Sequence, residues 1–592
     1  MRAKRCLPLL LWGLAFNPTA LTQAGANGAP APPTFKAGAT NVLVDVVVTG
    51  PHNAPVDGLS QDSFTVLEDG RPQQIVSFQA HSPSTAKAPA PQTVLPAGVY
   101  TNAQAVPGSD AVDVLLIDAL NTPTTSQVET HKMLVSYLEA LPPNKPVAVF
   151  TLGTRLRQLE DFTTDHTALL QAVEQATRSP QKSPLLKTAK DTERQMKDED
   201  QKLELSMAAN KMWAGELMLR ALRQFNAEQD SFDISLRVQY TLAALDQLAR
   251  YLSGMPGRKN LLWLSGSFPL AVMPDLALSA PRTTWTERNS HDSARDFSAA
   301  VDRTASLLAK ARVAVYPIDA RGMFSQSMAA PSVSGGSAVR NPDRVDDAEA
   351  AAVSLHSEER LTLEEVAHVT GGEAVVNTND LKGALDEVDR DGSHYYTLAY
   401  APANQSQNNN LRRIEVRVQP GNYHLSYRRS YVASPSLAQD DTFPILLQHA
   451  VPASTQILFR LSPARMGVQS GSAPVAGSNP NVRRPVTRYS IGYDVDLAPL
   501  QFNASADGTL HGSVTLVVIA YDSNGTPLNS TSNTLNLNVP AGAFPQFMKQ
   551  GLQYSQKLDL PGQAAWLRAG ILDSNSGEVG SLEVPLSGPQ SH

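Results

Sequence analysis

Cysteine is almost absent from this sequence, in which Cys6 is the only one among 592 residues. A chain with one thiol forms no intramolecular disulfide, and it has neither a cysteine-ligated zinc site nor a pair of redox cysteines. Stability must therefore come from burial of a core, and a hydrophobic content of 42% is ordinary for a globular protein.

Patterns of nucleic-acid binding and catalysis are also missing. The formal net charge is −7, whereas nucleic-acid binding requires a basic face, so no nucleic-acid partner is expected. The chain has no phosphate-binding loop, no dinucleotide fingerprint and no His-Glu-x-x-His motif. Ser265 and Ser267 follow an apolar run, but the Gly-x-Ser-x-Gly spacing of a serine hydrolase is absent. We therefore predict a non-enzymatic protein with no catalytic residue, and a serine hydrolase is the disfavoured alternative.

Residues 1–26 have the pattern of a secretory signal. Basic residues precede a ten-residue apolar run from Leu7 to Phe16, and Ala24-Gly-Ala26 fits a cleavage site. The run is shorter than the roughly 20 residues that cross a bilayer, although a membrane anchor is the alternative. The pattern predicts export to the periplasm or out of the cell, with no transmembrane segment after removal of the signal.

One apolar stretch organises the rest of the chain, and it runs from Asp113 to Asp118. Such a run predicts a strand buried on both faces of a parallel sheet. Because ligands bind at the carboxyl ends of parallel strands, Asp118, Asn121 and Thr122 are expected at the binding edge. A capping box then predicts the start of a helix. The capping box is Ser126 with Glu129. The further strands expected in the same sheet are Val147–Leu152, the edge strand Leu156–Leu159, Asn260–Leu264, Val313–Ile318 and Tyr395–Ala401.

Composition predicts several domains along the chain. A hairpin expected at 414–418 and 423–427 offers a place where the N-terminal strands can dock. A charged insertion is expected at residues 178–232. It is either a helical elaboration of its domain or a partner-binding arm. The predicted divisions are a signal at 1–26, a small β module at 35–80, a Pro/Ala-rich linker at 81–109, an α/β domain at 110–435 with a charged helical insertion at 178–232, and a β-sandwich at 440–592.

The strand, Asp118 and the hydroxyl of Thr122 resemble the metal-ion-dependent adhesion site of von Willebrand factor A-type domains, whose signature is Asp-x-Ser-x-Ser. The resemblance implies a doubly wound, Rossmann-type α/β central domain with flanking all-β modules of the Ig-like or β-sandwich kind. From about residue 35 to 586 the chain is similar to the von Willebrand factor A-related proteins of acidobacteria, through Val46–Thr49, Asp62–Gly70, Asp118–Thr122, Asp161-Phe162, Gly257–Asn260, Tyr316–Asp319 and Tyr493–Asp496.

The resemblance also implies a site for Mg²⁺ or Mn²⁺, although a degenerate one. Asp118 takes the place of the first aspartate and Thr122 that of the second serine. Leu120, which has no ligating atom, takes the place of the first serine, and Ser265 stands where the family has an aspartate. With Asn121 as a further oxygen donor, the implied metal ligands are Asp118, Asn121, Thr122 and Ser265. One carboxylate gives weak binding of a hard ion, and the alternative is that Asp118 only caps the loop and helix.

Two functions follow as hypotheses. In the first, an exported adhesion-type module binds a protein partner in the envelope or outside the cell through the Asp118 edge. In the second, the metal site is lost and the protein is a structural or scaffolding component of the envelope, whose contacts lie in residues 440–592 or 178–232.

Overall fold

The structure is a computed structural model. It describes residues 41–82, 95–104, 111–142, 145–178, 183–186, 212–266, 271–272, 295–319, 360–376, 392–404, 410–433, 442–471 and 474–586, with a few isolated positions between them. The predicted signal, Ser267 and most of the charged part of the insertion lie outside the described residues. In the part of the chain that is described, no helix is both long and apolar enough to cross a membrane.

The described residues form many strands and few helices. The strands are β1 (Val42–Thr49), β2 (Phe64–Glu68), β3 (Arg71–Gln73), β4 (Ile75–His81), β5 (Tyr100–Thr101), β6 (Ala111–Asp118), β7 (Val147–Leu152), β8 (Leu156–Thr163), β9 (Arg258–Ser265), β10 (Ala271–Val272), β11 (Arg295–Asp296), β12 (Val313–Asp319), β13 (Tyr395–Tyr400), β14 (Asn410–Val418), β15 (His424–Ser426), β16 (Ser430–Ala433), β17 (Phe459–Gln469), β18 (Val486–Val495), β19 (Asn503–Ala504), β20 (Thr509–Tyr521), β21 (Pro527–Pro540), β22 (Leu552–Pro561), β23 (Trp566–Asp573) and β24 (Val579–Pro585). The helices whose bounds are described are α1 (Thr124–Ala140), α2 (His166–Thr177), α3 (Met212–Leu252), α4 (Ser298–Lys310), α5 (Phe443–Leu446) and α6 (Phe544–Gln550).

A five-stranded sheet lies at the centre of the described chain, in the order β12-β9-β6-β7-β8. Strands β12, β9, β6 and β7 are parallel, and β8 is an antiparallel edge. The predicted pairing of the Asp113–Asp118 stretch with Val147–Leu152 is present in parallel register. Because successive side chains of a strand point to opposite faces, these apolar runs bury residues on both sides of the sheet.

Helices cover both faces of this sheet. On one face Val114 and Leu116 pack with residues of α3 and α4, and on the other Leu115 and Ile117 pack with residues of α1 and α2. The predicted start of α1 at a Ser126 capping box is wrong: the helix begins two residues earlier, and its N-cap Pro123 makes no side-chain cap bond.

The N-terminal strands form a sandwich with strands from much later in the chain. One sheet has the order β15-β1-β13-β4 and the other β16-β14-β2-β3, and they share one apolar core. The predicted placement of Tyr395–Ala401 in the central sheet is therefore wrong, because this strand pairs antiparallel with β1 and β4.

The hairpin expected at 414–418 and 423–427 is also wrong, although the N-terminal strands do dock there. Strand β14 pairs with β2 and β16, whereas β15 pairs with β1 in the other sheet. Alternate residues of β14 are buried. A hairpin would have placed both strands in one sheet, whereas the crossover lets them face each other across the core.

The C-terminal part is built mainly of strands, with the two short helices α5 and α6, in agreement with the predicted β-sandwich. Sheets β22-β18-β17-β5 and β19-β20-β23-β24, the second extended by β21, pack around one core. Part of the stretch predicted as a linker belongs to this sandwich, because β5 pairs with β17. Asn102 fixes it there: its Nδ2 donates to the carbonyl oxygens of Ser454 at 2.8 Å and Ile457 at 2.9 Å, and its Oδ1 accepts from the Phe459 N–H.

Candidate functional site

The carboxyl ends of β6 and β9 bring the four predicted site residues together. Asp118 ends β6, Asn121 and Thr122 lie in the loop before α1, and Ser265 ends β9. All four are buried, with exposed fractions of 1%, 0%, 3% and 0% in that order. The sequence therefore identified a real cluster, but its members lie beneath the surface.

The carboxylate of Asp118 accepts hydrogen bonds from four groups. Its Oδ1 accepts from the Asn121 backbone N–H at 3.0 Å, and its Oδ2 accepts from the Asn121 Nδ2 at 2.8 Å. The same Oδ2 accepts from Trp263 Nε1 at 3.0 Å and from the Ser265 hydroxyl at 2.8 Å. The loop after β6 and the strand β9 are thus joined through one carboxylate.

The side chain of Asn121 extends this network to helix α3. Its Nδ2 donates to Thr241 Oγ1 at 2.8 Å, and its Oδ1 accepts from Arg237 Nε at 3.0 Å. Thr241 in turn donates to the Arg237 carbonyl, one helical turn earlier. A cationic guanidinium therefore occupies the position next to the amide oxygen that the sequence offered as a metal ligand.

Thr122 and Leu120 complete the loop without facing solvent. The Thr122 Oγ1 accepts from the Gly266 N–H at 3.0 Å. A side chain at Gly266 would meet the Asn121 carbonyl at 2.8 Å, so only glycine allows the two loops to pack this closely. Leu120 is 1% exposed and belongs to the core on the α3 face of the sheet, which accounts for an apolar residue where a ligand would stand.

This donor set does not fit a centre for Mg²⁺ or Mn²⁺. Such ions need about six oxygen ligands, several of them water, whereas the oxygens of Asp118 already accept N–H and O–H donors. Burial raises the pKa of Asp118, and the hydrogen bonds from Asn121 and Ser265 offset only part of that effect. Among the described residues no group of three or more His, Cys, Asp or Glu is placed to hold a metal. Metal binding by the four residues stays a prediction, which a titration can test.

Sequence reasoning missed three members of the network: Arg237, Thr241 and Trp263. Trp263 was visible only as an apolar residue of β9, although a buried indole N–H usually needs an acceptor. Arg237 and Thr241 lie on a helix that reaches Asn121 from more than 110 positions away in the chain. No local sequence pattern identifies either residue, because the burial of Arg237 depends on how this helix packs against the loop.

A second surface feature lies on helix α3. Phe225, Phe232 and Tyr240 are exposed to 61%, 50% and 38%. At 3.6 residues per turn, spacings of seven and eight place the three rings within about 80° around the helix. They form the aromatic row of α3, and large exposed aromatic side chains are typical of protein interfaces.

Comparison with known proteins adds little. No family model and no curated protein matches the chain. Two solved structures are similar at a low level. The pilus adhesin SpaC from Lactobacillus rhamnosus GG has 8% identity to this chain, with 90% of this chain and 59% of that chain covered and a TM-score of 0.25. Three N-terminal domains of the type V pili tip protein Mfa5 from Porphyromonas gingivalis have 10% identity, with 87% of this chain and 77% of that chain covered and a TM-score of 0.23. The chain spans less than two thirds of the SpaC chain, and TM-scores this low support no inference about fold or function.

Proposed function

We propose that the protein is an exported, non-enzymatic protein-binding module built on a von Willebrand A-like α/β domain and acting in the periplasm or outside the cell. The order of the central sheet, with four parallel strands and one antiparallel edge, supports that class. So does the position of the Asp118 loop at the carboxyl edge. Export is proposed from the N-terminal sequence pattern alone.

The proposed contact surface is the aromatic row of α3 rather than the Asp118 loop. Asp118, Asn121 and Thr122 are buried and hydrogen-bonded within the chain, so a partner cannot reach them without opening the loop. The exposure of Phe225 and Phe232 is the observation that carries this proposal. Burial of one such ring in an interface contributes about 1.5–3 kcal/mol.

Site-specific photo-crosslinking in the native envelope tests the proposal. A benzophenone side chain is placed at Phe225 or Phe232, with Thr154, an exposed residue of the β7–β8 turn at the carboxyl edge, as the comparison position. One protein crosslinked at both helix positions and not at Thr154 is expected. Serine replacements of Phe225 and Phe232 should weaken capture of that protein at least about tenfold, and chelator should change nothing. Crosslinking only at Thr154, or capture lost with chelator, would contradict the proposal.

A structural role in the envelope is the second candidate, with its contacts in residues 440–592, because residues 178–232 contain Phe225 and Phe232 and do not separate the two roles. One observation favours it. Met466 and Val468 on β17 are exposed to 54% and 55%, on a part of the strand that β5 does not cover. An exposed apolar edge strand is a site for pairing with another chain. A benzophenone at Val468 that crosslinks an envelope protein, while Phe225 and Phe232 yield none, would favour this role.

A further inference from the structure

A small cavity lies at the opposite end of the central sheet, where the sheet meets the N-terminal sandwich. It has a volume of about 20 Å³, and its charged lining residues are Asp45 of β1, Arg258 at the start of β9, Arg312 before β12, and Arg428 between β15 and β16. None of these residues belongs to the Asp118 network.

Two of the three arginines have partners. Arg312 donates to both carboxylate oxygens of Asp45, from Nε at 3.0 Å and from Nη2 at 2.8 Å. Arg258 donates through Nη2 to the Tyr316 hydroxyl at 3.1 Å and to the Gly371 carbonyl at 2.9 Å. One carboxylate therefore neutralises one of the guanidinium groups that line the cavity.

Arg428 differs from the other two. It is 9% exposed, and its buried Nε has no hydrogen-bond partner. Its guanidinium lies 5.6 Å from the centre of the Tyr431 ring, a contact that supplies no hydrogen-bond acceptor to Nε. A buried charged donor without an acceptor destabilises the folded protein, so an acceptor from solution would stabilise it.

The charges around the cavity favour an anion. Three guanidinium groups and one carboxylate leave a surplus of positive charge in a region of low exposure. Lys259 lies in the same positive electrostatic field. Burial is the larger cause and repulsion by Arg312 the second, and together they lower the pKa of Lys259 to about 7. Arg312 also has a φ of 58°, a left-handed conformation that is strained for a non-glycine residue.

We propose that this cavity binds a small monovalent anion, with chloride the ion of matching size, between the guanidinium groups of Arg258, Arg312 and Arg428. A volume of about 20 Å³ slightly exceeds what one water molecule needs. It therefore admits a monatomic ion. The side chain of Arg312 is 20% exposed, which gives ions in solution a route to the cavity. The anion would stabilise the junction between the sandwich and the sheet.

Thermal unfolding in sodium chloride and in sodium gluconate at equal ionic strength tests this assignment. The melting temperature of the full chain is expected to be higher in chloride by about 2 °C or more. Arg428→Met should abolish the difference. Arg417→Met should retain it, because Arg417 is exposed and pairs with Glu415.

Bromide provides a readout that does not depend on a variant. Crystals grown in sodium bromide should show anomalous scattering between Arg258, Arg312 and Arg428. Equal melting temperatures in the two salts with no bromide peak in the cavity would overturn the proposal. A chloride effect that persists in Arg428→Met would also overturn it, since the ion would then bind elsewhere.

Discussion

At the scale of single residues, Asp118 acts as the acceptor that joins the loop after β6 to β9. Asp118→Ala would remove the carboxylate that accepts hydrogen bonds from Asn121, Trp263 and Ser265 in the buried network. We expect a loss of about 3 kcal/mol in the free energy of unfolding, measured by denaturant titration. Asp118→Asn keeps one oxygen and should lose less, and Thr154→Ala on the exposed neighbouring turn should lose almost nothing.

The same variants decide the question of a metal. Titration calorimetry with Mg²⁺ and with Mn²⁺ is expected to give equal heats for wild type and Asp118→Asn, because the carboxylate already accepts protein donors. A saturable heat seen in wild type and absent from Asp118→Asn would show that the network opens to admit a metal.

Lys259 predicts a dependence of stability on pH. Its Nζ is buried and donates to the carbonyls of Met255 and Ala311, and burial, aided by Arg312, lowers its pKa from 10.5 to about 7. Between these values the unfolded chain binds a proton that the folded chain lacks, so the free energy of unfolding should rise with pH. The slope should approach about 1.4 kcal/mol per pH unit.

Denaturant titrations at several pH values within that window measure the slope. Lys259→Met, which is similar in length and has no charge, should remove it, whereas Lys557→Met at an exposed position should leave it unchanged. A wild-type curve that is flat from pH 7 to 10.5 would mean that Lys259 stays protonated in the folded protein.

At the scale of elements, the sequence predicted what local pattern controls. The apolar runs at Asp113–Asp118 and Val147–Leu152 identified strands buried on both faces. Local chemistry also sets the start of α2, where Asp165 accepts from the backbone N–H groups of Thr167 and Ala168. Helix α3 shows the limit. The predicted helical insertion ends at residue 232, but one helix runs from Met212 to Leu252, because no proline or glycine interrupts it between positions 216 and 252.

The local sequence pattern does not determine which distant strands pair with each other. The run Tyr395–Ala401 is as apolar as the strands of the central sheet, and no local signal says which sheet it joins. Its partners β1 and β4 lie more than 300 residues earlier, and their choice depends on the shared core of the sandwich. The candidate site has the same two kinds of residue. Asp118 and Thr122 are predictable from a local motif, whereas Arg237 reaches Asn121 only because helix α3 packs against the loop.

At the scale of the whole described chain, the α/β layer and the C-terminal sandwich are connected through buried polar contacts. Arg250 of α3 is 1% exposed and donates to Gln456 Oε1 at 2.8 Å and to the Gly577 carbonyl at 3.4 Å. The Thr455 hydroxyl donates to the Tyr251 carbonyl at 2.7 Å. Such contacts should couple the unfolding of the two parts, because separating the parts breaks hydrogen bonds between buried charged and polar groups.

Arg250→Met tests this coupling. Removal of hydrogen bonds to a buried charged group should reduce the coupling by about 2 kcal/mol. In scanning calorimetry, the van't Hoff enthalpy should then fall relative to the calorimetric enthalpy, as the sandwich and the α/β layer begin to unfold separately. Arg460→Met is the matched control, because Arg460 is exposed and its pair with Asp494 spans 3.7 Å in solvent. An enthalpy ratio unchanged by Arg250→Met would mean that the hydrogen bonds of Arg250 do not couple the two parts.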